Sequence, residues 1–109
     1  MHIKREISKS IISKYSKLGS GCLINNNAIL NAGSYLGDYC ILNTNALIEH
    51  DVLIEDFCHI STGVIINGGV KVGRGSFIGS GSIIREGVIL PPETVISAGS
   101  VIMGWPIKD

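Results

Sequence analysis

The sequence predicts an all-β protein whose chain winds as a parallel β-helix of about five coils, with three short parallel sheets. The main observation is a column of aliphatic residues that recurs at every sixth position without a gap. An α-helix would repeat every 3.6 residues and a strand every 2. A six-residue unit cannot bury a core alone, so each unit must stack on its neighbours. The column consists of Ile12, Leu18, Ile24, Leu30, Leu36, Leu42, Ile48, Ile54, Ile60, Ile66, Val72, Ile78, Ile84, Leu90, Ile96 and Ile102.

Two further columns define the strands and corners. Two residues before each aliphatic stands a small residue or a valine, such as Cys22, Ala28 or Ser34. Positions two apart in a strand share a face, so both columns point inward. Three residues after most aliphatics comes a residue that tolerates positive φ, such as Gly21 or Asn27. We expect corners there. Three strands and three corners then make one coil of eighteen residues.

Length and charge restrict the class of protein. The chain has 109 residues, a formal net charge of zero and a pI of about 6.8. These values indicate one domain and do not favour a nucleic-acid or anionic-membrane partner. Residues 1–9 are polar and mixed in charge, without the pattern of a signal peptide or a membrane span. We expect a cytoplasmic protein.

The three cysteines, Cys22, Cys40 and Cys58, are eighteen residues apart and therefore stack in one inward column. Cα atoms about 4.8 Å apart would be within disulfide range, but parallel Cβ vectors are a poor geometry for a bridge. Their odd number also favours free thiols that serve as small core residues. No Cys or His spacing indicates a metal site.

The residue before each inward aliphatic points outward and forms a column on one of three faces. Two of these faces are apolar and the third is mixed. Apolar faces of this extent are not left in water, and two different ones predict a homotrimer with parallel axes, the first face of each subunit packing on the second face of the next. Alternatively, they cover a domain outside this chain. The columns are Ile11, Ile29, Leu47, Ile65, Ile83 and Val101; Leu23, Ile41, His59, Phe77 and Val95; and Lys17, Tyr35, Leu53, Lys71 and Ile89.

Two histidines carry the candidate chemistry. His50 falls at a corner between Glu49 and Asp51, and His59 points out from an apolar face. A carboxylate that accepts the Nδ1 proton raises the basicity of the other nitrogen, as deprotonation of an amine or hydroxyl requires. Nine residues are half a coil, so the two histidines diverge within one subunit but can meet across a subunit contact. The alternatives without catalysis are that His50 is a solvated corner residue and that His59 is an interface residue with local hydrogen bonds.

From about Ser10 onward the chain resembles the hexapeptide-repeat acyltransferases. It is most similar to the catalytic domain of sialic acid O-acetyltransferases and of bacterial enzymes that N-acetylate UDP-linked 4-amino sugars. The resemblance is carried by residues 46–51, 54–63, 69–82 and 95–102, and above all by the His-acid pair followed by Phe-x-His-Ile-Ser. It implies a left-handed β-helix, a hand that the repeat itself does not determine.

The resemblance also implies roles for eight residues. His50 matches the general base and Asp51 the acid that polarises it. His59 matches a histidine that contacts the thioester of acetyl-CoA. The backbone of corner residues in the last two coils would line the pantetheine arm of acetyl-CoA. Those residues are Gly79, Ser80, Ser97, Ala98 and Gly99.

The predicted function is direct transfer of an acetyl group from acetyl-CoA to an amine or hydroxyl of a sugar, with a nucleotide-linked amino sugar expected as acceptor. No metal and no covalent enzyme intermediate is expected. A γ-type carbonic anhydrase shares this fold, but its histidine pair five residues apart is absent. The alternative function is a non-catalytic trimeric scaffold, or an isolated domain of a larger sugar-modifying enzyme.

The domain organisation predicted from these patterns has three parts. Residues 1–9 form an N-terminal extension, residues 10–102 the acyltransferase β-helix, and residues 103–109 a C-terminal cap over the open end of the sheets. The family usually carries an N-terminal βαβ domain that binds the nucleotide sugar, and no such domain is expected in this chain.

Overall fold

The computed structural model describes residues 4–6 and 9–107. Within them, a short strand recurs every six residues, and each strand pairs in parallel with the one eighteen residues away, as His59 does with Ile41 and Phe77. The predicted all-β parallel solenoid of about 5 turns with three sheets is confirmed. The strands are β1 (Lys4–Glu6), β2 (Ile11–Ile12), β3 (Lys17–Leu18), β4 (Cys22–Ile24), β5 (Ile29–Leu30), β6 (Tyr35–Leu36), β7 (Ile41–Leu42), β8 (Leu47–Ile48), β9 (Leu53–Ile54), β10 (His59–Ile60), β11 (Ile65–Ile66), β12 (Lys71–Val72), β13 (Phe77–Ile78), β14 (Ile83–Ile84), β15 (Ile89–Leu90), β16 (Val95–Ile96) and β17 (Val101–Ile102).

Three sheets form the sides of a prism 42 Å long and 23 by 21 Å across. Sheet 1 contains β1, β4, β7, β10, β13 and β16; sheet 2 contains β2, β5, β8, β11, β14 and β17; sheet 3 contains β3, β6, β9, β12 and β15. Corner I joins sheet 1 to sheet 2, corner II joins sheet 2 to sheet 3, and corner III joins sheet 3 back to sheet 1. Each corner is therefore opposite one sheet.

The core is a single column of aliphatic side chains inside the prism. From Ile24 to Ile102 every member of the six-residue column is at most 3% exposed, and only Ile12 and Leu18 in the first coil are partly buried. The smaller column two residues earlier is also buried across the middle coils. Stacking thus provides the continuous core that one six-residue unit cannot form.

The cysteines and serines of this smaller column also donate hydrogen bonds to backbone carbonyls at the corners. The sulfur of Cys40 donates to the carbonyl of Glu55 one coil above (3.1 Å), and the hydroxyl of Ser34 donates likewise to Glu49 (2.7 Å). A buried carbonyl without a partner would cost about 1–3 kcal/mol. The cysteines therefore act as serine-like donors as well as small core residues.

From Gly21 to Gly99 positive φ recurs at every sixth residue, including four positions at which the sequence contains neither glycine nor asparagine. These are Tyr39, Asp51, Phe57 and Glu93, with φ between 54° and 61°. The left-handed conformation costs a residue with a side chain about 1–2 kcal/mol. The parallel pairing on both sides imposes the corner geometry regardless of the residue, so local preference is overridden.

An aromatic stack stabilises corner III at two of these positions. The rings of Tyr39 and Phe57 are 5.7 Å apart and nearly parallel. The guanidinium of Arg74 lies 5.0 Å from the centre of the Phe57 ring. Gly21 lies beneath Tyr39, where a β-carbon would overlap the ring. Each contact is worth about 0.5–1.5 kcal/mol, which offsets part of the backbone strain.

The structure describes the two predicted end segments only in part. Residues 4–6, assigned to the N-terminal extension, form β1 and pair with β4, so they add a strand to sheet 1. Residues 1–3, 7–8 and 108–109 lie outside the described residues, and with them part of both predicted end segments. The boundaries at 10 and 102 stay predictions. None of the described residues lies in a helix long and apolar enough to cross a lipid bilayer.

Candidate active site

Corner II brings His50 and Asp51 together directly after β8. The Nδ1 atom of His50 is 3.1 Å from Oδ2 of Asp51. A carboxylate can only accept, so Nδ1 carries the proton and the lone pair of Nε2 is left free. Both side chains are largely exposed, at 70% and 71%. This geometry is the one expected of a general base and the acid that orients it.

Glycines in the neighbouring coils make room for this pair. A β-carbon on Gly33, one coil below, would overlap the carboxylate of Asp51. A β-carbon on Gly68, one coil above, would lie 2.8 Å from Cε1 and 2.9 Å from Nε2 of His50. The imidazole of His50 thus packs against the backbone of Gly68, and the carboxylate of Asp51 against the backbone of Gly33, which restricts the orientation of both groups.

An open groove of about 580 Å³ begins at His50 and runs along corner II. Its walls are Glu49, His50, Asn67, Gly68, Arg85 and Glu86. The Glu49 side chain is held by Asn31, whose Nδ2 donates to Oε1 (3.0 Å). Asn67 is held by a hydrogen bond from its Nδ2 to the carbonyl of Ile84 (2.9 Å). His50 therefore faces a polar groove with both signs of charge.

His59 lies on a different side of the prism. It points outward from β10 in the middle of sheet 1, with its ring edge-on to Phe77 at 5.2 Å between ring centres. The amide of Asn43 reaches Nε2 of His59 at 3.5 Å. Sheet 1 is opposite corner II, so one subunit does not bring His50 and His59 together.

The residues predicted to line the pantetheine arm lie together at corner I. Gly79 and Ser80 follow β13, and Ser97, Ala98 and Gly99 follow β16 one coil above, with Gly99 N donating to the Ser80 carbonyl (2.8 Å). Ser80 and the three upper residues are exposed. Gly79 is buried, and a β-carbon there would lie 2.5 Å from the Ala98 backbone nitrogen. The close packing of the two coils is therefore sufficient to explain why residue 79 is glycine, without a bound ligand.

The cysteines lie inside corner III and are free thiols. The hydrogen bond to Cys58 and then burial raise the pKa of the Cys40 thiol, and burial raises that of Cys22. A protonated, enclosed thiol is a poor nucleophile. In the described part of the chain, no three His, Cys, Asp or Glu side chains are grouped to hold a metal ion.

Three parts of this site were not predicted from the sequence: Gly33 and Gly68 around the His-Asp pair, and Asn43 beside His59. An eighteen-residue offset could have found the glycines, since it places Gly33 under Asp51 and Gly68 over His50. The same offset places Ile41 under His59, two residues before Asn43. The direction of the Asn43 side chain depends on its hydrogen bonds, and these cannot be predicted from the eighteen-residue offset.

Three-sided coils of six-residue repeats are typical of hexapeptide-repeat transferases. The family described as bacterial transferase hexapeptide (six repeats) matches residues 51–86, a segment that includes Asp51 and His59. The predicted resemblance to hexapeptide-repeat acetyltransferases is confirmed by this match and by the solved structures that follow.

Solved structures similar to this chain include the acetyltransferase domain of PglB from Neisseria gonorrhoeae FA1090, with 33% identity and a TM-score of 0.87 over 88% of this chain and 47% of that one. The same domain in complex with acetyl coenzyme A has 31% identity and a TM-score of 0.84, over 87% and 48% of the two chains. A mutant of perosamine N-acetyltransferase from Caulobacter crescentus, in complex with CoA and GDP-perosamine, has 31% identity and a TM-score of 0.84, over 88% and 46%.

The chain spans about half the length of these solved structures. No curated protein sequence matches it significantly.

Proposed function

We propose that this chain is an acetyltransferase domain that moves an acetyl group from acetyl-CoA to the amine of a sugar, with a nucleotide-linked amino sugar as acceptor and His50 as general base. The observation that carries the proposal is the His50–Asp51 pair, with Nδ1 and Oδ2 3.1 Å apart, seated against Gly68 and Gly33. It lies on a fold shared with acetyltransferases that bind acetyl-CoA or CoA.

The reaction would proceed by direct attack. The Nε2 lone pair of His50 takes a proton from the acceptor amine as its nitrogen attacks the thioester carbonyl. The C–S bond then breaks, and the departing CoA thiolate receives the proton from the His50 imidazolium. Asp51 holds Nδ1–H throughout and stabilises the imidazolium. A hydroxyl acceptor would follow the same steps.

A complete site would need two subunits, because His50 and His59 belong to opposite parts of one prism. The outward columns of sheets 1 and 2 support this arrangement. They expose large apolar side chains, among them Val95 (73%), Val101 (60%) and Ile11 (60%), on faces suited to burial in an interface. A closed ring of three subunits with sheet 1 of each on sheet 2 of the next would cover both columns.

Acetyl-CoA would lie along sheet 1 and the last two coils of corner I of one subunit, with its thioester near His59. The exposed backbone of Ser80, Ala98 and Gly99 suits close approach of the narrow pantetheine arm. His59, or a backbone amide, would donate to the oxyanion of the tetrahedral intermediate. The acceptor would enter by the groove that Glu49, Arg85 and Glu86 line next to His50. A cytoplasmic location stays a prediction.

The test is release of free CoA from acetyl-CoA in the presence of a panel of nucleotide-linked amino sugars. We expect turnover with at least one of them, and a fall of about 100-fold or more in His50→Ala. Asn26→Ala, at an exposed corner residue far from the groove, is the matched control and keeps full rate. Full activity of His50→Ala would refute the assignment. Acetyl-CoA binding without turnover would instead indicate an acceptor-binding part outside this chain, and no binding would favour the scaffold alternative.

The shared site has its own test in mixed trimers. His50→Ala and His59→Ala chains are each expected to be inactive, but a refolded equimolar mixture would contain contacts with both native histidines. If neighbours combine at random, the mixture recovers about a quarter of the wild-type rate, because one contact in four is intact. No recovery, from variants that each form trimers, would refute the shared site.

A further inference from the structure

We infer that Asn43 is a positioning residue that orients the His59 imidazole with the lone pair on Nε2 and the proton on Nδ1, so that His59 serves as a hydrogen-bond donor and not as a base. The role of His59 as a donor in catalysis rests on the proposed function, whereas the position of the proton on Nδ1 of His59 rests on the hydrogen bonds alone. They connect Asn25, Asn43 and His59 in successive coils.

The orientation of the Asn43 amide follows from its neighbours. Its Oδ1 accepts from the backbone N–H of Thr44 (3.0 Å) and from Nδ2 of Asn25 (2.8 Å). The backbone N–H can only donate, so the atom that faces it must be the oxygen. Rotating the amide by half a turn would oppose its NH2 group to two donors, which excludes the other assignment.

The proton position on His59 follows from that orientation. With Oδ1 committed, the Asn43 atom that faces Nε2 of His59 at 3.5 Å is the NH2 nitrogen. An NH2 group offers only hydrogens, so Nε2 must present its lone pair and the proton of the neutral ring is on Nδ1. The contact is long, but a protonated Nε2 would set two donors against each other. Phe77 packs edge-on to the ring and limits its rotation.

This arrangement separates the two histidines by function. The carboxylate of Asp51 accepts from Nδ1 of His50 and leaves Nε2 as a base. The amide of Asn43 donates to Nε2 of His59 and leaves Nδ1–H as a donor. Two imidazoles of the same intrinsic chemistry are thus given opposite roles by the polarity of one neighbour each. A donor is what the oxyanion of an acetyl transfer needs.

The isosteric variant Asn43→Asp tests the inference. The aspartate keeps an oxygen for Thr44 N–H and for Asn25, but it replaces the NH2 group facing His59 by an acceptor. Long-range ¹H–¹⁵N spectra of the imidazole at about pH 8, where an ordinary histidine is neutral, report which nitrogen carries the proton. We expect Nδ1–H in the wild type and Nε2–H in the variant. Asn45→Asp adds the same charge two residues away, at an exposed residue of the same corner, and keeps Nδ1–H.

Kinetics supply the second readout. We expect Asn43→Asp to lower kcat by about 100-fold, the usual effect of losing one oxyanion donor, with little change in KM for acetyl-CoA. Asn45→Asp keeps the wild-type rate. A wild-type His59 protonated on Nε2, or an Asn43→Asp variant that keeps Nδ1–H, would overturn the inference. Nδ1–H in a wild-type protein that does not bind acetyl-CoA would leave the proton position standing and refute the proposed function instead.

Discussion

The carboxylate of Asp51 occupies the space that a side chain on Gly33 would need. Gly33 lies eighteen residues earlier, directly beneath Asp51 in the coil below, and a β-carbon there would overlap Oδ1. Asp51 itself has a φ of 57°, which is unfavourable for a residue with a side chain. The acid of the candidate dyad is therefore positioned by the absence of a side chain in the neighbouring coil.

Replacing Gly33 by alanine should reduce activity by more than its effect on stability explains. Gly33 and Gly87 have φ values of +77° and +74°, so alanine costs both about 1–2 kcal/mol of unfolding free energy. Only at Gly33 does the new methyl group displace Asp51, since nothing lies within 4 Å of a β-carbon on Gly87. We expect kcat to fall by about 100-fold in Gly33→Ala and to stay near wild type in Gly87→Ala. Equal kcat values in the two variants would show that the position of the Asp51 carboxylate does not affect activity.

Gly68→Ala should move the imidazole of His50. The new β-carbon would lie 2.8 Å from Cε1, so the ring must shift by a few tenths of an ångström or more. We expect kcat to fall by about tenfold to 100-fold and the His50 ring resonances to move. Gly104→Ala is the control, because nothing lies within 4 Å of a β-carbon there and φ is ordinary. Unchanged His50 resonances in Gly68→Ala would contradict the contact.

The three thiols should be inert in the folded protein. Cys22, Cys40 and Cys58 are at most 1% exposed, and the pKa of the Cys22 and Cys40 thiols is raised. A raised pKa means less thiolate at neutral pH, and a buried sulfur is out of reach of a reagent, so a thiol reagent should label all three residues only after unfolding. The hydrogen bond with Cys40 lowers the pKa of the Cys58 thiol, so at Cys58 burial alone prevents labelling. An Asn26→Cys thiol, at an exposed corner residue, should react at once. Rapid labelling of a native cysteine would mean that corner III opens readily.

Substitutions at Phe57 allow the cost of backbone strain to be measured separately from the gain from aromatic stacking. Phe57→Ala and Phe57→Gly both lose the contacts with Tyr39 and Arg74, but only alanine keeps a side chain at a φ of 61°. We therefore expect Phe57→Gly to be more stable than Phe57→Ala by about 1 kcal/mol, the reverse of the order at an ordinary strand position. Urea unfolding measures the difference. Greater stability of the alanine variant would mean that the corner relaxes when the ring is removed.

Much of the fold could be predicted because the repeat is short and strict. A column such as Ile24, Leu42 and Ile60 recurs with one period, and that period leaves few ways to bury it. Corners were predictable wherever the residue itself prefers positive φ, as at Gly63. They were not predictable at Tyr39 or Phe57, where the pairing of neighbouring coils imposes the conformation against local preference.

The sequence by itself determined the solenoid and its inward and outward faces, because each depends on spacing along the chain, and it placed His50 between two acids, Glu49 and Asp51. Only the tertiary structure decided that Asp51 is the acid in contact with Nδ1 of His50, what surrounds that pair, and which nitrogen of His59 is free. Gly33, Gly68 and Asn43 act through space from other coils, and the directions of their contacts depend on side-chain geometry. A period specifies which residues are neighbours, whereas atomic distances and donor–acceptor polarity specify what those neighbours do to each other.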